Sequence, residues 1–437
     1  MRDGGRLAAA VEVLDDIEAR RRPAADALKD WGLAHRFAGS GDRAAIASLV
    51  FDALRHHTSL AWRMGAETSR ARVLGVYGLL WGHGVDEIES LFAEDRHAPP
   101  PLSDDEKTAL AGGGPALADA PGAIAADVPD WLWPRFEALF GEEAVDEGRA
   151  LAARAPVDLR VNRLKADRDK VKAALSRFKA CETPFAPTNL RIDAPEGPRR
   201  TPHLAAENSF LKGWFEVQDE ASQIAALLAG ARAGAQVLDL CAGAGGKTLA
   251  MAAEMGNKGQ IFAYDADQRR FGDIRDRIKR AGARNVQVRV PSEPNVLDDL
   301  KGRMDLVLID APCSGTGTWR RRPDAKWRLA PGALDIRAGE QRAVLAEGAD
   351  FVAPGGRMVY VTCSVLAEEN EERIAEFLAG NPAFRLSDPA DAWLAGIGGP
   401  MPERFRAPVG EAGFAVRMTP HRSGTDGFFV AILTRQS

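Results

Sequence analysis

The sequence predicts an α/β protein whose C-terminal half is built on a mostly parallel, seven-stranded sheet. After Ala233, helical segments separate five short runs rich in β-branched residues: "QVLDL", "QIFAYD", "VQVRV", "DLVLID" and "RMVYVTC". Such continuously apolar strands are typical of a parallel sheet covered by helices on both faces. Two further strands, in "GFAVRMTPHRSGTDGFFVAILTRQ", surround a turn and predict an antiparallel edge.

Two smaller units are predicted before this sheet. Up to residue 140 or so, apolar residues recur at helical spacing, and Asp42 is expected to cap a helix in "GSGDRAAIASLVFDALRHH". A Pro- and Gly-rich loop is expected at 98–122, with a helix after it in "VPDWLWPRFEALFG". Then "VDLRV", "DRDKVKAALSRF" and "NLRI" alternate as strand, helix and strand. We expect domains at 1–142 (all-helical), 143–215 (small α+β) and 216–437 (the sheet domain).

Length and charge limit the class of protein. The 437 residues exceed one compact core, and the net charge of −5 excludes a protein that coats nucleic acid through an overall positive charge. Any RNA binding must use local basic patches. No long apolar stretch occurs and acids interrupt the N-terminal apolar pattern, so we expect no membrane span, no signal peptide, a cytoplasmic location and a monomer.

The cysteines fall in unusual places. Cys313 in "DAPCSGTG" and Cys363 in "RMVYVTC" each follow an apolar strand, whereas Cys181 suits a small buried residue. No two of the four cysteines form a CxxC pair, so we expect no metal site, and a long cytosolic chain needs no disulfide framework.

A glycine-rich turn in "VLDLCAGAGGKT" links a strand to a helix. A phosphate-binding P-loop would need glycine where Cys241 stands, and a dinucleotide fingerprint starting at Gly243 would need glycine where Thr248 stands. Glycines that let a ligand approach the backbone, followed by Asp265 at the end of the next strand, favour an adenosyl ligand whose ribose the acid binds. S-adenosylmethionine fits this pattern better than NAD.

Cys313, Cys363 and Asp310 should meet at the carboxyl edge of the sheet, where parallel α/β folds bind ligands. Two thiols and an acid beside a methyl donor suit methylation at C5 of a pyrimidine. A thiolate that adds to C6 makes C5 nucleophilic, and an acid near N3 stabilises the developing charge. A base must later remove the C5 proton so that the thiol can leave.

Four segments resemble the signature blocks of the Sun (Fmu) family of RNA cytosine-5 methyltransferases: "GWFEVQDEAS", "LDLCAGAGGKT", "DAPCSGTGTWRRRPDAKW" and "VTCSVLAEEN". The helical front end is similar to the NusB-like domain of the family's bacterial 16S ribosomal RNA member. The resemblance implies a Rossmann-like catalytic domain that uses S-adenosylmethionine, preceded by an α+β RNA-binding unit and a NusB-like domain. Small-subunit ribosomal RNA is the implied partner.

The resemblance also implies roles for single residues. Cys363 is the nucleophile, Cys313 assists product release, and Asp310 contacts the cytosine and the cofactor side of the pocket. Asp265 holds the ribose. The turn that wraps the cofactor comprises Cys241, Ala242, Gly243, Ala244, Gly245, Gly246 and Lys247. Chemistry alone leaves the two thiols interchangeable, because DNA cytosine methyltransferases attack with a Pro-Cys cysteine.

The chain departs from the family pattern twice. Ala244 stands where the family usually has proline. After the third strand, where an acid usually lies near the adenine, this chain has Pro291 and Ser292, with Glu293 the nearest acid.

Two basic segments are candidate RNA contacts. The cluster "TWRRRPDAKWR" combines positive charge with indoles that could stack on unpaired bases, and "LRVNRLK" adds a second patch. The residues expected to meet RNA are Arg160, Arg163, Lys165, Arg320, Arg322 and Lys326. The reacting cytosine should be single-stranded or flipped out.

Three other functions fit parts of the pattern. An RNA-binding ribosome-assembly factor with a degenerate methyltransferase domain would not need the intact cysteines, acid and glycine turn. A small-molecule methyltransferase would have no use for the helical front domain. A tRNA cytosine-5 methyltransferase would use the same chemistry on another RNA.

Overall fold

The computed structural model describes residues 1–199, 201–292 and 295–437. The chain divides into two compact units. The helical unit comprises Met1–Ala155, Ala194–Thr201 and Trp319–Leu329, and the sheet unit comprises Pro156–Asp193, Pro202–Thr318 and Ala330–Ser437. Among the described residues, no helix is long and apolar enough to cross a membrane.

The first part of the helical unit contains ten α-helices. They are α1 (Asp3–Arg20), α2 (Ala24–Ala34), α3 (Ser40–Arg55), α4 (His57–Met64), α5 (Ser69–Gly75), α6 (Val85–Glu94), α7 (Asp104–Thr108), α8 (Gly122–Ala125), α9 (Trp133–Phe140) and α10 (Ala144–Ala152). The apolar stripe of α1 is buried as predicted, with Leu7, Leu14 and Ile17 in the core.

Two local predictions in this unit were wrong. Asp42 does not cap α3 at its first position. Gly39 is the N-cap, and the Asp42 carboxylate, three residues later, accepts a hydrogen bond from the Gly39 amide at 2.9 Å. The segment predicted as a loop at 98–122 contains α7, because Ser103 and Glu106 form a reciprocal capping box that starts a helix.

The described residues of the sheet unit form twelve strands. They are β1 (Val157–Val161), β2 (Asn189–Ile192), β3 (Phe215–Val217), β4 (Gln236–Asp239), β5 (Gln260–Tyr264), β6 (Val286–Arg289), β7 (Met304–Asp310), β8 (Val352–Thr362), β9 (Phe384–Leu386), β10 (Arg406–Pro408), β11 (Phe414–Met418) and β12 (Phe428–Arg435).

The remaining helices are mostly interspersed with these strands. They are α11 (Arg168–Ala174), α12 (Asn208–Leu211), α13 (Glu220–Ala229), α14 (Gly246–Glu254), α15 (Ile274–Ala281), α16 (Pro323–Arg328), α17 (Gly332–Phe351), α18 (Glu371–Gly380), α19 (Pro389–Gly396) and α20 (Pro420–Ser423). Of these, α16 belongs to the helical unit.

The strands form two sheets. A small antiparallel sheet has the order β2-β1-β3. The large sheet has the order β10-β11-β12-β8-β7-β4-β5-β6, with β9 also paired to β12. Its five strands from β8 to β6 are parallel and the other four are antiparallel. The mostly parallel core and the antiparallel β11–β12 edge are confirmed, but the sheet has nine strands rather than seven because β9 and β10 extend it.

The basic segment after the Cys313 loop is a packing element of the helical unit. Lys326 is 1 % exposed, and its ammonium lies 4.8 Å from the Trp327 ring centre and donates to the Arg55 carbonyl at 3.2 Å. The Trp327 indole donates to the Leu54 carbonyl at 2.7 Å. Arg320 is also buried, so the prediction that Lys326 and Arg320 meet RNA phosphates was wrong for this conformation. Arg322 is exposed.

Burial of Lys326 predicts a pH-dependent stability. Desolvation lowers the Lys326 pKa from 10.5 to about 8, so between these pH values the folded chain binds fewer protons than the unfolded chain. The cost of burying the ammonium, about 3 kcal/mol, is therefore present below pH 8 and fades as the pH rises towards 10. As the pH rises from 7 to 10, the free energy of unfolding of wild type should therefore increase by about 3 kcal/mol relative to that of Lys326→Met. Thermal unfolding of the two full chains across this pH range measures the difference.

Lys29→Met is the matched control, since Lys29 is an exposed lysine of the same unit. Its difference from wild type should stay constant with pH. The same constancy for Lys326→Met would contradict the buried charge.

Candidate active site

Strand pairing brings the two cysteine loops together. Parallel β7 and β8 are in register so that Asp310 pairs with Val361, and the Ala311 amide donates to the Val361 carbonyl at 2.8 Å. Cys313 and Cys363 follow these strand ends, and their sulfurs lie 3.5 Å apart. Both side chains are partly exposed. The predicted convergence of the thiols and Asp310 at one sheet edge is what the structure contains.

The two thiols interact directly. The hydrogen bond to Cys363 raises the pKa of Cys313 well above its usual value, and burial and the nearby Glu369 carboxylate raise it further. Cys313 therefore holds its proton strongly. A protonated Cys313 can donate across the gap between the sulfurs to a thiolate at Cys363.

A buried carboxylate holds the Cys313 loop. Glu369 is completely buried and accepts hydrogen bonds from the Ser314 amide at 2.7 Å, from the Ser314 hydroxyl, and from the Gln341 amide at 3.2 Å. Gln341 also donates to the Pro312 carbonyl at 2.9 Å, so it binds the residue immediately before Cys313. The carboxylate and the amide together fix the backbone on both sides of the thiol.

The Cys363 loop is tied to the same structure. The Thr316 hydroxyl lies 3.0 Å from the Ser364 hydroxyl and accepts from the Val365 amide at 2.9 Å. The Gly317 amide donates to the Cys363 carbonyl at 2.9 Å, and the Gly317 carbonyl accepts from the Gly427 amide at 2.8 Å. A Cβ on Gly317 would lie 2.2 Å from the Gly427 carbonyl oxygen, so only glycine fits at this contact.

Asp310 is paired with a lysine from the glycine turn. The Lys247 ammonium donates to Asp310 Oδ2 at 2.7 Å and lies 5.2 Å from the Phe428 ring centre. Among the described residues, Asp310 Oδ1 has no hydrogen-bond partner, and the side chain is 35 % exposed. Oδ1 is therefore the oxygen available to a ligand. Lys247, predicted as a cofactor residue, thus connects the turn to the cysteine side of the site.

The glycine turn between β4 and α14 needs its glycines. Gly243 and Gly245 have φ values of 50° and 83°, and a Cβ on Gly245 would lie 2.8 Å from Ile274. Inside the turn, the Ala242 amide donates to the Tyr264 carbonyl at 2.8 Å. Cys241 beside it is partly buried, and burial raises its thiol pKa well above the usual value.

Two arginines, the buried Arg160 and the partly buried Arg277, hold the turn from outside. Arg277 donates to the Ala244 carbonyl at 2.6 Å, and Arg160 donates to the Gly246 carbonyl at 2.6 Å. Glu216, on β3, accepts from Arg277 at 2.9 Å and so balances its charge. Arg160 is 5 % exposed and burial lowers its pKa to about 10. The prediction that Arg160 contacts RNA was therefore wrong for this conformation, because its guanidinium faces the turn. Arg163 and Lys165 are exposed.

Two acids beneath the turn are placed to accept hydrogen bonds from an adenosyl ligand. Asp265 accepts from the Gly243 and Asp267 amides, each at 3.0 Å, which places its carboxylate against the turn. Asp239 accepts from Thr248 at 2.6 Å through Oδ2, while its buried Oδ1 has no partner among the described residues. Burial, opposed by the Thr248 hydrogen bond, raises the Asp239 pKa to about 7. An unsatisfied buried oxygen is a place where a ligand donor would be stabilising.

Other predicted features have different outcomes. Glu293, the nearest acid to the expected adenine contact, lies outside the described residues, and Pro291 and Ser292 form a turn after β6. No group of His, Cys, Asp or Glu in the described part of the chain could hold a metal ion. The sequence did not indicate the roles of Ser314 and Glu369, although they lie in the segments "DAPCSGTG" and "VTCSVLAEEN". Gln341 and Arg277 lie on helices, where a polar residue is usually predicted to face solvent, so the sequence did not indicate their roles.

Known proteins resemble this chain over both units. Residues 226–434 match the family model described as 16S rRNA methyltransferase RsmB/F, and residues 128–197 match the ferredoxin-like domain of RsmF/B-like methyltransferases. The probable ribosomal RNA small subunit methyltransferase B of Synechocystis sp. is 31 % identical, covering 70 % of this chain and 66 % of the relative. The ribosomal RNA small subunit methyltransferase B of Sodalis glossinidius is 35 % identical, covering 62 % and 61 %. The chain thus spans less than two thirds of either relative.

Solved structures agree. The crystal structure of PH0851 is 26 % identical, with a TM-score of 0.73 and coverage of 98 % of both chains. A methyltransferase homolog protein from Pyrococcus horikoshii is 27 % identical, with a TM-score of 0.59, covering 74 % of this chain and 99 % of that one. The resemblance first suggested by the two cysteine loops is confirmed: the chain contains a domain of the RsmB/F (Sun) family of 16S rRNA methyltransferases and the ferredoxin-like domain of that family.

Proposed function

We propose that this chain methylates C5 of a cytosine in small-subunit ribosomal RNA, with S-adenosylmethionine as methyl donor. The observation that carries the proposal is the pair of sulfurs 3.5 Å apart beside the Asp310 carboxylate. A nucleophile and a second thiol next to an acid are the groups that C5 methylation needs. The family name supports RNA as the substrate.

In this proposal Cys363 is the nucleophile. Its thiolate adds to C6 of the cytosine, the C5–C6 double bond opens, and the electron pair becomes available at C5. The assignment of the nucleophile to Cys363 rests on the family resemblance, and a protonated Cys313, 3.5 Å away, would stabilise the Cys363 thiolate by a hydrogen bond. S-adenosylmethionine supplies the methyl group that C5 accepts.

Release completes the proposed cycle. The C5 proton must be removed, after which the double bond re-forms and the C6–sulfur bond breaks, returning the Cys363 thiolate. In this stage the C5 proton passes to a solvent water, and Cys313, which keeps its own proton, assists the departure of Cys363 by a hydrogen bond from its thiol to the leaving thiolate across 3.5 Å. The Glu369 network fixes the Cys313 loop for this role.

Asp310 and Lys247 form a charge pair that can orient the base. Oδ1 of Asp310 is the carboxylate oxygen without a partner among the described residues, so it would receive the exocyclic amine or the protonated N3 of a cytosine. Lys247 holds the other oxygen and keeps the carboxylate in place. The turn from Cys241 to Lys247, with Asp239 and Asp265, would hold the donor. A ribosomal RNA substrate implies that the protein acts in the cytoplasm.

We predict opposite effects for the two cysteines. Cys363→Ala should abolish both methyl transfer and the covalent RNA adduct, because no nucleophile remains. Cys313→Ala should still form the adduct but fail to resolve it. A denaturing gel of enzyme mixed with rRNA transcript and S-adenosylmethionine should show a slow-moving band for Cys313→Ala.

Cys181→Ala serves as control, since Cys181 lies outside the site, on the small sheet's side of the unit. It should behave as wild type. An adduct trapped in Cys363→Ala instead would exchange the two roles. Calorimetry tests the donor separately, since absence of S-adenosylmethionine binding would favour a degenerate assembly factor.

We also predict that Glu369 acts as a positioning residue. Glu369→Gln keeps the shape but turns one acceptor oxygen into a donor that opposes Ser314, which should cost about 1–3 kcal/mol of stability. The adduct should form and then decay more slowly than in wild type, because the Cys313 loop is less ordered. Time-resolved denaturing gels measure the decay.

Glu372→Gln is the matched control, since Glu372 is exposed on α18. Equal decay rates in the two glutamine variants would contradict a positioning role for Glu369, whatever their melting temperatures.

A further inference from the structure

A cleft of about 730 Å³ lies at the edge of the large sheet opposite to the cysteines. It is lined by Arg232, which precedes β4, by Arg357 in the middle of β8, and by Arg385 on β9. We call this the arginine cleft. At ~3.3 Å per residue, the strand from Arg357 to Cys363 separates the cleft from the thiols by about 20 Å. The cleft is therefore distinct from the reaction site.

Sheet register puts two of these arginines on one face. Thr434 of β12 pairs with Arg357 on one side and with Arg385 on the other. Residues directly opposite in antiparallel strands point to the same face, so both side chains project from the sheet in the same direction. Two strand spacings place their backbones about 10 Å apart.

None of the three arginines has a counter-charge within the described part of the chain. Among the described residues, no carboxylate or hydrogen-bond acceptor contacts the guanidinium of Arg232, Arg357 or Arg385. The charge of Arg232, after burial, lowers the Arg357 pKa, as expected for neighbouring cations. Holding like charges together without a counterion is unfavourable, and a bound anion would remove that cost.

The acids of the cleft do not balance this charge. Glu254 pairs with Arg163 at 3.3 Å, and Asp388 pairs with Arg406 at 3.4 Å. Asp391 is the remaining carboxylate that lines the cleft. A net positive charge therefore remains, carried by planar guanidinium groups that suit the bidentate recognition of phosphate.

The end of α13 offers a structural explanation for part of the cluster. This helix ends at Gly230 in a left-handed conformation, and cations near a helix C-terminus are stabilising. The Arg357 guanidinium lies 2.8 Å from where a Cβ of Gly230 would be. Arg385 stands on β9, however, and is not explained by the helix end.

We propose that the arginine cleft binds backbone phosphates of the RNA substrate at a second contact, about 20 Å from the reacting cytosine. The proposal rests on the proposed function, since it takes the substrate to be RNA. It assigns to the amino-terminal edge of the sheet a role in holding a long RNA, while the carboxyl edge performs the chemistry.

The test compares RNA affinity across salt concentrations. Arg232 and Arg385 are exposed, so the double variant R232Q/R385Q should fold. With a 16S rRNA transcript, its slope of log K against log salt should be shallower than that of wild type by about 2, one unit for each lost phosphate contact. Because the double variant binds the transcript more weakly, its KM for the transcript should rise. R337Q is the control, because Arg337 is a surface arginine of α17 paired with Glu340.

Three results would overturn the proposal. Equal salt slopes for R232Q/R385Q and R337Q would exclude a phosphate contact. A lower melting temperature with an unchanged slope would assign the arginines to the end of α13. Thermal stabilisation by inorganic phosphate that the double variant loses, with RNA affinity unchanged, would assign the cleft to a small anion.

Methyl incorporation by the wild-type chain into the same transcript separates this proposal from the proposed function. If wild type transfers no methyl group, the proposed function fails. If wild type methylates the transcript and the double variant does so with the same KM and salt slope, only the arginine cleft proposal fails.

Discussion

The parallel pairing of β7 with β8 is the constraint on which the site depends. Because Asp310 is opposite Val361, the loops that leave these strands start side by side, and their cysteines meet within 3.5 Å. A shift of one residue in this register would turn alternate side chains to the other face and separate the thiols. The apolar residues of β7 and β8 are almost fully buried, so the hydrophobic core of the sheet enforces the register.

Buried carboxylates then convert this approximate placement into fixed loops. Glu369 collects three donors from the loop that carries Cys313 and from α17, and Glu216 neutralises the arginine that holds the glycine turn. Each of these acids is nearly inaccessible to water. Desolvating a carboxylate is costly, and the cost is offset because every donor is aimed at it. The site is thus held by charge inside the protein rather than by surface contacts.

Some of this was readable from the sequence and some was not. Strand ends in a parallel sheet share an edge, so Cys313, Cys363 and Asp310 could be placed together from the chain alone. The burial of Lys326 and Arg160 could not be predicted. A basic residue next to aromatic residues, or on a strand, gives the same sequence pattern whether it binds phosphate or packs inside the protein. Asp42 lies three residues after the helix N-cap instead of at it, because its carboxylate accepts a hydrogen bond from the backbone amide of Gly39. The strands β9 and β10 were too short to produce an alternating pattern.

The contact between Gly317 and Gly427 has a consequence for how the protein matures. Gly427 stands immediately before β12, far along the chain from Cys313 and also after Cys363. Until that stretch has been synthesised and has paired with β8, the backbone of the Pro-Cys loop lacks one of its neighbours. The Cys313 loop therefore acquires this last backbone contact only once β12 has been made and has paired with β8.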